Sequence, residues 1–243
     1  MATAETVTDV DSIPTWREHY QANRNRIDSL ANMPPLPRLV KRFQSNLATQ
    51  DSMESEHEFA DKVSIWPGGD LTRLRAGAVV NAANAFLKAG GGICGAIFQA
   101  AGRDDLEEAC DEVGLCPTGE ARLTPGFKLP AEFIIHAVGP TGKDPQALLQ
   151  TYESIYDVMK ENEIRSIGVC CVSTGLYGFP NDLAAMVALL ATREWLSEND
   201  NMQAVDRIVF STFLKQDTVL YHTLMPIAFP CLNPANESSQ EVL

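Results

Sequence analysis

Residues 78–102, AVVNAANAFLKAGGGICGAIFQAAG, put two amide side chains, three consecutive glycines and a helix-forming stretch into one run. Asn81 and Asn84 supply amide donors and acceptors at the end of an apolar strand, where open α/β sheets place ligands. Gly90, Gly91 and Gly92 let main chain approach a ligand with no Cβ in the way. A helix starting near Gly95 aims free N–H groups and a positive dipole end at the same spot. That chemistry suits a phosphate held by backbone. A glycine triplet alone is an ordinary turn signal; the strand, the asparagines and the helix start favour the binding reading.

A second glycine-rich loop follows another apolar strand: Ser173, Thr174, Gly175, Leu176, Tyr177, Gly178 and Phe179 precede Pro180 and a helix. Two strand-loop-helix units at one sheet edge can enclose a pyrophosphate with main-chain N–H groups. Tyr177 and Phe179 offer an aromatic wall against a sugar, though an aromatic beside a glycine turn also commonly shields a sheet end. Asp70, in Gly69-Asp70-Leu71-Thr72, has two readings: acceptor for an exocyclic amine of a base, with the adjacent N–H donating to a ring nitrogen, or a turn and cap residue. His136, in the middle of a strand, reads as a satisfied core residue. Cys94 lies at the helix start, but no His is near it in sequence to take its proton, and it reads as a small packing residue.

These residues must be positioned by a chain of 243 residues with 45% hydrophobic content and net charge −13. That length buries a sizeable core. The acidic balance leaves few Lys and Arg for phosphate contacts, so tight nucleic-acid binding is disfavoured and an anionic ligand has to be held by backbone dipoles. Six cysteines with no CxxC pair read as reduced thiols, with no metal site. No window reaches the roughly 18 apolar residues of a membrane span, and the N-terminus lacks signal and transit patterns, so an intracellular, cytoplasmic protein is expected.

The sequence divides into an N-terminal extension (1–60, partly helical), a main domain (61–230) and a loose polar tail (231–243). Pro34, Pro35 and Pro37 interrupt the extension, and 50–58 is polar and acidic. Trp16 and the apolar residues around Leu39, Val40 and Phe43 suit an amphipathic helix covering the edge of the core. In the main domain, strands are predicted at 63–66, 78–82, 121–124, 133–138, 166–172 and 207–211. Helices are predicted at 95–101, 104–113, 145–162, 181–196 and 217–225, with Asn181 and Asp217 as N-caps. This alternation predicts an α/β fold with helices on both faces of a mixed, mostly parallel sheet.

In order, GDLT, VVNAAN, GGGICGAIF, TGEA, FIIHAVGP and STGLYGFP resemble the macrodomain family of ADP-ribose-binding modules, from Lys62 to Pro230. The flanks DVDSIPTW and YHTLMPIAFP narrow the resemblance to a branch whose members carry a CRAL-TRIO domain after the macrodomain, and a fragment of such a protein is one of two readings of this chain, which the sequence alone does not decide. The resemblance implies a three-layer α/β/α macrodomain whose ligand is ADP-ribose, with no further cofactor. It implies that Asp70 holds the adenine amine with help from the Leu71 backbone, and that Asn84 binds the distal ribose. Gly91, Gly92, Ile93, Cys94, Gly95 and Ala96 wrap the distal phosphate and ribose. Residues Ser173, Thr174, Gly175, Leu176 and Gly178 contact the remaining phosphate, with Tyr177 or Phe179 against the sugar. Asn81 ties the loop together.

Many family members cleave ADP-ribose from acidic side chains or acetyl from O-acetyl-ADP-ribose. One hydrolytic branch has Asp and His where this chain has Cys94 and Phe98, which removes an obvious carboxylate for orienting water. A hydrolytic role then falls to Asn84 and the loop at Gly92, positioning a water that a ligand phosphate activates. The readings weighed are a mono-ADP-ribosyl (Asp/Glu ester) hydrolase acting on mono-ADP-ribosylated proteins, a non-catalytic reader, an O-acetyl-ADP-ribose deacetylase and a weak poly(A) or RNA binder. The oligomeric state is not fixed by the sequence.

Overall fold

The computed structural model describes residues 6–32, 36–47, 58–198 and 200–231. In chain order these form β1 (Thr8–Asp9), α1 (Trp16–Leu30), α2 (Leu36–Leu47), α3 (Phe59–Lys62), β2 (Val63–Pro67), β3 (Leu74–Arg75), β4 (Ala78–Ala82), α4 (Gly92–Ala101) and α5 (Arg103–Val113). There follow β5 (Ala121–Pro125), β6 (Phe133–Ala137), α6 (Pro145–Glu161), β7 (Ser166–Val169), α7 (Asn181–Ser197), α8 (Asn201–Ala204), β8 (Arg207–Thr212) and α9 (Lys215–Ala228).

The central sheet has the order β2-β8-β7-β4-β6-β5, and β1 pairs separately with β3. Every neighbouring pair in the central sheet is parallel except β5 with β6. Helices flank this mixed, mostly parallel sheet, the α/β architecture expected from the alternating pattern. Val79, Val80, Ile134, Ile135, Ile167, Ile208 and Val209 are fully buried, which is why the inner strands read as apolar runs without alternation. One helix group pairs α4 with α5; in the other, α6 packs on α7, and α7 on α9.

The helix starts have local causes. Thr15 and Glu18 form a reciprocal capping box on α1, and Asp144 accepts from the Ala147 N–H with Pro145 in the first turn of α6. Asn181 and Asp217, expected as N-caps, are not: Pro180 and Leu214 occupy those positions. The Asn181 amide donates instead to the Asp217 carboxylate at 2.6 Å, a pairing between distant residues that sequence spacing does not reveal. The strand expected at 166–172 stops at Val169, because Cys170 onward turns over the sheet edge. Helix α4 begins at Gly92, ahead of the expected Gly95.

Val10, Ile13, Trp16, Ile27, Leu39 and Phe43 from the N-terminal segment belong to the same core as the rest. Trp16 and Phe43 are fully buried, each worth about 1.5–3 kcal/mol of apolar burial. Trp16 Nε1 donates to the Phe229 carbonyl at 3.0 Å. Helix α1 lies against α9 and against β2, the sheet's edge strand, while α2 packs on α9 and α7. Pro34, Pro35, residues 50–57 and the tail past Cys231 lie outside the described residues; Pro37 falls in the first turn of α2.

Candidate functional site

A cavity of about 570 Å³ opens at the carboxyl ends of the parallel strands. The sheet order sets the sequence of its walls. Asp70 and Leu71 follow β2, Ser211 is the penultimate residue of β8 with Phe213, Leu214 and Asp217 beyond that strand, Cys170 to Tyr177 follow β7, and Asn84 with the glycine loop follow β4.

The phosphate-suited end lies between two loops. Gly91 caps α4 with no side-chain cap bond, so the first-turn amides of Gly92, Ile93 and Cys94 keep their donors for a ligand. Gly95 is required by space, since a Cβ there would stand 2.5 Å from the Gly90 carbonyl oxygen. From the facing loop, Leu176 reaches over the first: its Cδ1 is 3.0 Å from where a Cβ on Gly91 would be, and its side chain is 83% exposed. Ser173 adopts φ +65°, an uncommon conformation for a residue other than glycine.

Among the described residues lining the cavity there is no Lys, Arg or His; the charged ones are Asp70 and Asp217. An anion bound here is held by main-chain N–H groups and the α4 dipole. Asp70 caps the short 3-10 turn Leu71–Arg73, with Oδ1 accepting from the Thr72 N–H and hydroxyl, and it pairs with Arg73 at 3.1 Å. It is the cap residue that the sequence offered as one of two readings, and it also lines the cavity.

Asn84 is the tie within its own loop: Oδ1 accepts from the Phe86 and Lys88 N–H groups and Nδ2 donates to the Lys88 carbonyl at 2.6 Å. Asn81, read from the sequence as tying the loop together, is fully buried and does not line the cavity. Its Nδ2 meets His136 Nδ1 at 3.0 Å and the Cys94 sulfur at 3.7 Å, and its Oδ1 has no partner among the described residues. His136 Nε2 in turn meets the Thr124 hydroxyl at 2.9 Å. Burial pushes the His136 imidazole down to about 4, so it stays neutral and serves as the core residue read from the sequence.

The cavity is walled in part by three thiols. Burial raises Cys94, raises Cys170 to about 12 and holds Cys171 well above the usual thiol range. They are neutral at physiological pH, so none is an activated nucleophile. Tyr177 lines the cavity with its hydroxyl donating to the Ala83 carbonyl at 3.3 Å.

Asp70, Leu71, Asn84, Gly91, Gly92, Ile93, Cys94, Ala96 and the run from Ser173 to Tyr177 meet around this one cavity. Gly95, Gly178 and Phe179, expected to face a ligand, do not line it; Phe179 is 1% exposed and belongs to the core. The sequence reading missed Ser211, Phe213, Leu214, Asp217 and Gly139. Phe213 is 78% exposed at the mouth. The signal was present, since 207–217 is another strand end leading into a helix, on the same sheet edge as the two glycine loops.

Fold and cavity together define a three-layer α/β/α module with a glycine-loop-walled cavity at the carboxyl ends of its parallel strands. The chain belongs to the macro domain family. The profile of that family, described as Macro domain, matches residues 80–188. The chain is 39% identical to a Trypanosoma brucei macrodomain solved in complex with ADP-ribose, with TM-score 0.66 over 71% of this chain and 72% of that one. It is 42% identical over 200 residues to the ADP-ribose glycohydrolase MACROD2 of Homo sapiens, covering 80% of this chain and 46% of that protein. The chain thus spans about half the length of that relative. The macro domain of ganglioside induced differentiation associated protein 2, which the flanking motifs resemble, superposes with TM-score 0.74 at 27% identity, covering 94% of this chain and all of that one (100%).

Proposed function

We propose that this chain binds ADP-ribose, free or attached to protein, and hydrolyses the ester joining mono-ADP-ribose to Asp or Glu side chains. The observation that carries the reading is the cavity itself, with glycine loops and a helix N-terminus at one end, Asp70 and Phe213 at the other, and no basic side chain among the described residues lining it. The base stacks near Phe213 with its amine toward Asp70, the pyrophosphate lies between the Gly91 and Gly175 loops, and the distal ribose reaches Asn84. The ligand of the Trypanosoma brucei macrodomain and the activity in the name of MACROD2 support the same assignment.

In the hydrolytic step water adds at the anomeric carbon of the distal ribose, the bond to the carboxylate oxygen breaks, and the water's proton passes to a ligand phosphate oxygen. Asn84 and the loop at Gly92 act by position. The protein carboxylate leaves without needing an acid.

A second reading, a reader that binds without turnover, is favoured by Cys94, a neutral thiol where a hydrolytic branch has Asp. The net charge of −13 and the lack of Lys and Arg among the described residues that line the cavity weigh against RNA. Incubation with a protein mono-ADP-ribosylated on acidic residues separates the two. Loss of label with return of the unmodified side chain supports the hydrolase; retained label with saturable ADP-ribose binding leaves the reader.

A further inference from the structure

Asp217 is a carboxylate at 3% exposure that lines the cavity. It sits in the first turn of α9, where the helix dipole favours negative charge, yet caps nothing there. Its Oδ1 accepts from the Asn181 amide at 2.6 Å, and the Cys171 thiol and the Tyr221 hydroxyl lie close enough to feel its charge. Residues from α7, α9 and the end of β7 thus fix this carboxylate at the cavity wall. A buried carboxylate held this firmly, in a pocket otherwise suited to anions, sets a local rule about what lies against it.

The sheet order gives its place along the ligand. Asp70 follows β2, Asp217 follows β8, the Ser173 to Tyr177 loop follows β7, and Gly91 to Cys94 follow β4, with those strands adjacent in that order. A dinucleotide-like ligand with its base at Asp70 and its pyrophosphate between the two loops has its nucleoside sugar beside Asp217. We propose that Asp217 makes the cavity select an unphosphorylated nucleoside sugar. Its carboxylate accepts a hydrogen bond from a ribose hydroxyl and repels a phosphate ester at that position. This specificity rests on the ADP-ribose reading above and goes beyond it, excluding ligands that carry a 2′-phosphate on the adenosine.

Calorimetric titration of ADP-ribose and of ADP-ribose 2′-phosphate into the wild-type chain, Asp217→Asn and Asp70→Asn tests it. Wild type is expected to prefer ADP-ribose by at least about tenfold. Asp217→Asn should narrow that ratio to about threefold or less by binding the 2′-phosphate more tightly, while Asp70→Asn weakens both ligands alike. Equal binding of the two by wild type overturns the proposal whatever the variants do. An unchanged ratio in Asp217→Asn, or in Asp217→Ser where the first does not fold, overturns it as well. Failure of ADP-ribose itself to bind overturns the underlying functional reading, and this inference with it.

Discussion

His19 Nε2 and His222 Nε2 lie 2.9 Å apart, their rings within 13° of parallel, joining α1 to α9 beside the buried Trp16. One nitrogen donates and the other accepts, and with both pKa values below the usual 6.5 the rings are neutral at pH 7. Burial, then the neighbouring His19 and Arg26, push His222 down to about 4; burial, then Arg26, lower His19. Helix α1 is therefore docked through a contact that acid disrupts.

The folded values lie below the usual 6.5, so the unfolded chain takes up more protons as pH falls from about 6.5 toward 4. The pair's contribution is full above about pH 6.5 and is lost through that window, on the order of 2 kcal/mol. Urea midpoints at pH 7.5 and pH 5 measure it. His222→Phe should show a smaller difference between the two than wild type; equal differences would contradict the assignment.

Gly95→Ala places a methyl group 2.5 Å from the Gly90 carbonyl oxygen. The contact is with backbone, so the glycine loop must move and the first-turn amides of α4 lose their aim. ADP-ribose affinity is expected to fall at least about tenfold, while the far-UV circular dichroism stays that of a folded chain. Unchanged affinity would mean that the loop does not hold the phosphate.

Asp70→Ala removes an acceptor at the base end of the cavity. ADP-ribose binding should weaken by on the order of 1–3 kcal/mol, read by calorimetry. The same substitution also uncaps the turn Leu71–Arg73, so the melting temperature is measured beside it. Binding that does not change would place the base elsewhere.

His136→Leu removes the imidazole that the buried Asn81 amide and Thr124 hydroxyl share, leaving them only the longer contacts to the Cys94 sulfur and the Pro125 carbonyl. A loss of about 1–3 kcal/mol in folding stability follows. Chemical denaturation measures it, and a neutral outcome would show that these groups find other partners.

Much of this was legible before any coordinates. Buried parallel strands read as apolar runs, so 78–82 and 133–138 stood out, and both glycine loops announced themselves by composition. What was hidden depends on long-range pairing. Asn181 and Asp217 look like N-caps in isolation, and only the fold reveals that they bond to each other across 36 positions. Asn81 and Asn84 have the same chemistry three residues apart; the pleat sends one to His136 and leaves the other in its loop. Phe179 sits in a loop of ligand-facing character, yet its aromatic side chain turns to the core. Phe213 lacked a glycine signature and was passed over, although it stands at the end of a strand like the others.

The central claim is that the cavity holds ADP-ribose through backbone amides. The most direct test is calorimetric titration of ADP-ribose into the wild-type chain and Gly95→Ala at low and high salt. The expected result is one saturable site per chain, modest salt dependence because no Lys or Arg lines the cavity among the described residues, and affinity at least about tenfold weaker in the variant. Absence of saturable binding by wild type, or equal binding by Gly95→Ala, would contradict it.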